Sequence, residues 1–102
     1  MTEYKEIEKL FNLREKAVSK KDRVLFLSTQ IDEIEGGGSQ NYIALESLLS
    51  EVLHIYEKNE LEKVVFVKET YLYPPNGKEP YSSFPVYFLV NTIKGWRIYK
   101  VR

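Results

Sequence analysis

The sequence predicts an α+β domain in which three N-terminal helices pack on a curved, cone-like antiparallel sheet. In the first half of the chain, apolar residues recur at spacings of three and four, which is typical of amphipathic helices. From Leu61 onward, β-branched and aromatic residues alternate with glycine turns, which indicates a strand meander. A chain of 102 residues has the length of one domain, so we assign residues 1–102 to a single domain.

The first two helices have distinct signals. Residues 3–20 carry an apolar arc at helical spacing. Asp22 follows as the N-cap of a short second helix, because its carboxylate can accept from the amides of the first turn. Residues 29–35 fit either a short edge strand or a loop.

A glycine run at residues 36–38, followed by Ser39 and Asn41 as candidate helix caps, marks the clearest break in the chain. The apolar arc that follows predicts a third helix over residues 42–58. Its members are Tyr42, Leu45, Leu48, Leu49, Val52, Leu53, Ile55 and Tyr56.

The rest of the chain predicts an antiparallel meander with turns at Asn76-Gly77 and Lys94-Gly95. Its last hairpin, residues 86–102, is apolar on both faces. One face carries Val86, Phe88, Val90, Tyr99 and Val101, and the other carries Tyr87, Leu89, Trp96 and Ile98. Since the helices of a two-layer domain cover only one face completely, the other needs a ligand or a partner. We therefore expect a homodimer through the sheet.

Composition narrows the partners and cofactors. Fifteen basic and fifteen acidic residues give zero formal net charge, which argues against nucleic acid or an anionic membrane as a partner. There is no cysteine and only one histidine, so we expect no metal and no cofactor. The N-terminus is charged, and no apolar run approaches the ~18 residues that span a bilayer, so we expect a cytoplasmic protein.

The order of elements resembles the nuclear-transport-factor-two-like superfamily, also called the cystatin-like α+β cone. The residues that carry the resemblance are Ala17 with Asp22 at the first helix junction, Gly38 with Ile43, and the terminal "GWRIYKV". The resemblance covers nearly the whole chain. It implies a bent sheet around the first helix, a conical pocket, and dimers often made through the outer sheet face.

The same resemblance implies several functions, because the superfamily includes polyketide cyclases, ketosteroid isomerases, dehydratases and noncatalytic binding domains. Its best-known catalytic patterns use paired aspartates with tyrosine, or an aspartate–histidine dyad. This chain has only Asp22 and Asp32 and one histidine, and Asp22 has a capping role. Neither pattern can be placed, which favours a noncatalytic domain.

Two charges interrupt apolar rows. Arg14 falls near the middle of the apolar arc of the first helix, and Glu69 shares a strand face with valines and tyrosines. Arg14 could reach water past the sheet edge, its methylenes covering apolar surface, and Glu69 could lie on an outward face. If both point inward, they should pair or share a ligand, because burying either charge alone costs several kcal/mol.

The sharper hypothesis is a ligand pocket that contains Arg14 and Glu69, with Tyr71, Tyr87 and Trp96 as its walls. We therefore predict a noncatalytic binding or association domain that holds a small molecule or forms a homodimer. The alternative is a small lyase or isomerase of the polyketide-cyclase or ketosteroid-isomerase type, with Glu69 as general base and Tyr71 or Tyr87 as hydrogen-bond donor.

Overall fold

The structure is a computed structural model that describes residues 2–35, 46–72 and 80–102. These residues form two helices and six strands. The helices are α1 (Thr2–Lys20) and α2 (Arg23–Leu27), and the strands are β1 (Gln30–Glu35), β2 (Ser47–Glu57), β3 (Glu62–Leu72), β4 (Tyr81–Ser83), β5 (Val86–Thr92) and β6 (Gly95–Val101). Some predicted features lie outside the described residues: the caps at Ser39 and Asn41, the turn at Asn76-Gly77, and the resemblance residues Gly38 and Ile43.

The junction of α1 and α2 confirms the first two predicted helices. Lys21 adopts a positive φ of 57°, and the Asp22 amide donates to the Ala17 carbonyl at 2.8 Å, as in a Schellman motif that ends a helix. The Asp22 carboxylate then accepts from the Leu25 amide at 3.0 Å and so caps α2. One helix therefore ends where the next begins.

The predicted third helix is wrong, because residues 47–57 form strand β2. Register along β3 shifts between Val52 and His54, which leaves Leu53 as the extra residue of a β-bulge. The bulge places Leu48, Val52 and Ile55 on the side of the sheet that packs against the core. Their spacing of i, i+4 and i+7 is that of a helix face, so a bulged strand produced a helical pattern.

The sheet is mixed rather than wholly antiparallel. Its strand order is β1-β6-β5-β3-β2, with β4 also paired to β3. Residues 30–35 form an edge strand, and this strand runs parallel to β6, whereas the other pairs are antiparallel. Hydrophobic periodicity carries no information about a distant partner or its direction, so the sequence could not specify this pair.

The last hairpin turns one residue earlier than predicted. Thr92 pairs with Gly95, so Ile93 and Lys94 form the turn, and Gly95 takes the positive φ of 104°. The two predicted faces are otherwise confirmed, because Val90 pairs with Arg97 instead of Tyr99, and a shift of two residues leaves each side chain on the same face. Val101 is the exception: a bulge between the partners of Phe88 and Leu89 moves it to the core side.

Helix α1 lies on one face of the sheet, which we call the inner face. Its apolar residues Ile7, Leu10 and Phe11 pack with Tyr87, Leu89, Trp96 and other side chains of β3, β5 and β6. A second cluster, around Phe26, joins the end of α1 and α2 to Leu48 and Tyr71. Both helices therefore contact the inner face, and no helix of the described residues packs on the outer one.

Candidate functional site

All five residues predicted to bind a ligand are buried. The exposed fraction is 1% for Arg14 and 0% for Glu69, and Tyr71, Tyr87 and Trp96 are each below a tenth exposed. The interpretation in which Arg14 reaches water is therefore wrong, and so is an outward face for Glu69. Both charges point inward, as the pocket hypothesis requires.

Glu69 is held by two tyrosines. The Tyr71 hydroxyl donates to Oε1 at 2.5 Å, and the Tyr87 hydroxyl donates to Oε2. Tyr71 shares a further hydrogen bond of 2.7 Å with Ser83 Oγ, on β4. Each carboxylate oxygen thus has a hydroxyl partner, which offsets part of the cost of removing this group from water.

Arg14 lies beside Tyr87, one of the two tyrosines that hold Glu69. Its Nη1 donates to Thr29 Oγ1 at 2.8 Å and to Gln30 Oε1 at 3.3 Å. Its guanidinium carbon lies 4.2 Å from the centre of the Phe26 ring and 5.4 Å from that of Tyr87. Since Tyr87 contacts both Arg14 and Glu69, these residues form one buried assembly.

We call Arg14, Glu69, Tyr71 and Tyr87 the inner polar cluster. Thr29, Gln30 and Ser83 support it, and the sequence analysis did not identify them. Thr29 Oγ1 donates to the Phe26 carbonyl at 2.7 Å, which aims its lone pairs at Arg14. Gln30 begins β1 and Thr29 precedes it, and neither belongs to an apolar period, so the sequence pattern carries no signal for them.

Trp96 lies apart from this cluster. It pairs with Asn91 at the turn end of the hairpin, whereas Tyr87 pairs with Val101 at the opposite end. Four residues along an extended strand separate Tyr87 from Asn91, a distance of roughly 13 Å. Four of the five predicted residues therefore come together, and Trp96 contacts Lys63 instead, whose Nζ lies 5.2 Å from the indole centre.

Lys63 is a further buried charge that the sequence analysis missed. Only 4% of it is exposed, and its ammonium forms an ion pair with Glu57 at 2.8 Å. It occupies the same face of β3 as Glu69, so the alternation that marked Glu69 also marks Lys63.

Three surface cavities lie elsewhere. One, of about 420 Å³, lies by the β2–β3 turn at Glu57 and Lys63. Another, of about 340 Å³, lies between α1 and β2 at Tyr4 and Ser50. The third, also about 340 Å³, lies between α1 and the β5–β6 turn. Arg14 and Glu69 line none of these three.

The outer face of the sheet carries a group of apolar side chains among polar ones. Tyr56, Val64 and Phe88 stand side by side across β2, β3 and β5, followed on β6 by Lys100. We call the apolar residues of this face the outer patch: Leu49, Tyr56, Val64, Phe66, Phe88 and Val90. Of these, Leu49 is 62% exposed and Tyr56 57%.

Glu62, at the border of the outer patch, has a lowered pKa. The Tyr99 hydroxyl donates to Glu62 at 2.7 Å, and the Asn59 amide donates to it at 3.2 Å. These two hydrogen bonds, with a smaller contribution from Lys58, hold the pKa of the Glu62 carboxyl below its ordinary value of 4.5.

Two negative findings apply to residues 2–35, 46–72 and 80–102 alone. No group of three or more histidine, aspartate or glutamate side chains in them could hold a metal ion. No helix in them is long and apolar enough to cross a membrane.

The sequence matches no protein-family model and no curated protein. Solved structures do match. A domain of unknown function with a cystatin-like fold from Nostoc punctiforme PCC 73102 superposes with a TM-score of 0.77 at 15% identity, over 99% of this chain and 75% of that one. The chain has the nuclear-transport-factor-two-like, or cystatin-like, fold.

Two more proteins share this nuclear-transport-factor-two-like fold. An NTF-2 like protein of unknown function from Shewanella oneidensis MR-1 has a TM-score of 0.77 at 13% identity, over 96% of this chain and 95% of that one. A ketosteroid isomerase-like protein from Erwinia carotovora atroseptica SCRI1043 has a TM-score of 0.68 at 15% identity, over 93% and 89%. The structural similarity supports the predicted α+β, cystatin-like fold, and at identities this low it shows the fold alone.

Proposed function

We propose that this protein is a noncatalytic association domain that forms a homodimer through the outer face of its sheet. The observation that carries the proposal is the outer patch, which exposes large apolar side chains on β2 and β3 with no helix of the described residues over them. Contiguous apolar surface of this kind is typical of an interaction site.

A second copy is the partner that this face fits. The chain has zero formal net charge, so two copies approach without net repulsion. The face also carries both signs of charge, with Glu51 on β2 and Lys68 and Lys100 on β3 and β6. A two-fold arrangement can therefore join apolar centres and oppose unlike charges.

The inner polar cluster supports the noncatalytic half of the proposal. Both oxygens of Glu69 accept tyrosine hydroxyls, and none of its surface is exposed. A substrate would have to displace a tyrosine to reach the carboxylate. The cluster is therefore better suited to organising the core than to turnover, and binding of a small molecule there remains a prediction.

The test is sedimentation velocity on the wild type and on Phe66→Asp, over a range of concentrations. Phe66 lies near the centre of the outer patch, so we expect a wild-type dimer whose dissociation constant rises by about 30-fold or more in the variant. Tyr56→Asp, at a more exposed site, gives the same test with less risk to folding. Val24→Asp, on the exposed side of α2, is the matched control.

A wild-type protein that sediments as a monomer at high concentration would contradict the proposal. So would a dimer that Phe66→Asp and Tyr56→Asp leave as tight as the control does. Thermal melts of each variant separate loss of association from loss of folding.

The lyase or isomerase function is the second candidate. Two observations favour it: a buried carboxylate lies beside two tyrosine hydroxyls, the residue types that a general base and an oxyanion donor need, and a ketosteroid isomerase-like protein shares the fold. For turnover, one tyrosine would have to leave Glu69 and turn to the substrate. In that function Glu69 would take a proton from carbon beside a carbonyl, and a tyrosine would donate to the developing oxyanion.

A further inference from the structure

A groove of about 340 Å³ runs between α1 and the β5–β6 turn, and no residue of the inner polar cluster or of the outer patch lines it. We call it the hairpin groove. Its apolar floor consists of Leu10 and Leu13 on α1 and Trp96 on β6. Leu10 and Trp96 are each 5% exposed, so the groove ends on the side chains of the core. Its volume lies at the lower end of the range for small-molecule sites.

Three cations from separate segments line the groove. Lys9 comes from α1, Lys94 from the turn and Arg97 from β6, against a single acid, Glu6. The lining therefore has a formal charge of about +2 at neutral pH. Although the whole protein has zero net charge, the groove is locally positive and therefore favours an anionic ligand.

Arg97 is held in position rather than extended into solvent. Its Nη1 donates to the Trp96 carbonyl at 2.7 Å. The same nitrogen lies 3.5 Å from where a Cβ of Gly95 would stand, an ordinary contact distance, so the guanidinium rests against the turn. A guanidinium has five N–H donors, and the carbonyl occupies one, so a planar anion can still be bound by two.

We propose that the hairpin groove binds a small monocarboxylate with an apolar tail. The carboxylate lies on Arg97, with Lys94 and Lys9 nearby, and the tail lies on Leu10, Leu13 and Trp96. A guanidinium matches the geometry of a carboxylate, and the apolar floor discriminates against anions that have no tail. The groove shares no residue with the outer patch, but Arg97 borders that patch as the strand partner of Val90, so Lys94→Gln is the variant that tests the groove apart from the homodimer.

The experiment uses octanoate, with octylamine and octanol as probes that differ only in the head group. Trp96 is the only tryptophan of the chain, so its fluorescence reports on the groove directly, and titration calorimetry provides a second measurement. We expect saturable binding of octanoate that weakens with added salt, at least about 10-fold weaker binding of octylamine, and intermediate binding of octanol.

Arg97→Gln should weaken octanoate binding by about 10-fold, and Lys94→Gln by about threefold. Arg102→Gln, the same change on an exposed arginine beyond the end of β6, should leave it unchanged. Lys94→Gln tests the proposal even if Arg97→Gln does not fold. Absence of saturable octanoate binding up to about 10 mM overturns the proposal, as does equal binding of octylamine or equal affinity of the folded variants.

Discussion

The two faces of the sheet differ in where they keep polar and apolar groups. On the inner face, Arg14 and Glu69 are buried and hydrogen-bonded to neighbouring side chains. On the outer face, Leu49, Tyr56 and Phe66 are exposed. The inner face thus buries charged side chains and the outer face exposes apolar ones, whereas most proteins do the reverse.

The difference shows that a polar interior and an apolar exterior need separate explanations. Buried charge is tolerated when hydrogen bonds compensate its desolvation, which the inner face supplies from its own tyrosines, threonine and glutamine. Exposed apolar surface has no such internal compensation, which is why we assign a partner to the outer face.

The largest effect should come from Arg14→Met, which keeps much of the volume and removes the charge. We expect a loss of about 2–5 kcal/mol in the free energy of unfolding, because the acceptor oxygens of Thr29 and Gln30 stay buried without their donor and each costs about 1–3 kcal/mol. Arg23→Met, on exposed α2, should change it by less than about 0.5 kcal/mol. Urea denaturation measures both, and an Arg14→Met protein as stable as the wild type would show that the inner polar cluster is not structural.

Glu69→Gln should have an intermediate effect and separates the two candidate functions. A neutral amide cannot accept from both tyrosines as the carboxylate does, so a structural Glu69 predicts a loss of about 1–3 kcal/mol. Glu51→Gln, at an exposed site on β2, is the matched control.

The isomerase function predicts a different result for Glu69→Gln. Residues kept for catalysis often reduce stability, so the variant would be as stable as the wild type or more so. It would also lose a wild-type ability to convert a β,γ-unsaturated ketone to its conjugated isomer, followed by ultraviolet absorbance. That pair of results would favour the enzyme over the association domain.

The smallest effect should come from Tyr99→Phe at the outer face, and it depends on pH. Because the folded-state pKa of Glu62 is lowered, its contribution to stability is present above its ordinary pKa of 4.5 and is lost as the pH falls through the folded value. The variant should melt below the wild type at neutral pH, and the difference should shrink on acidification. A difference that stays constant from pH 7 to about pH 3 would contradict this linkage.

Much of the inner face could be predicted from the sequence. Alternation placed Glu69 with Tyr71, helical periodicity placed Arg14 on the apolar arc, and the pattern of the hairpin separated its two faces. Local periodicity could not find the bulge in β2, since a bulged strand and a helix share the spacing of Leu48, Val52 and Ile55. It also could not find Thr29 and Gln30, which become partners of Arg14 only when α1 packs on the sheet.

The sequence by itself determined which residues are anomalous: an arginine on an apolar helix face, a glutamate among valines and tyrosines, and a hairpin apolar on both sides. These follow from local spacing, which the backbone converts directly into faces. Only the tertiary structure decided that β1 runs parallel to β6, that Trp96 lies far from Glu69, and that Arg97 folds over Gly95 beside α1. Such relations join residues distant in the chain, and the packing of whole elements, rather than any local pattern, determines them.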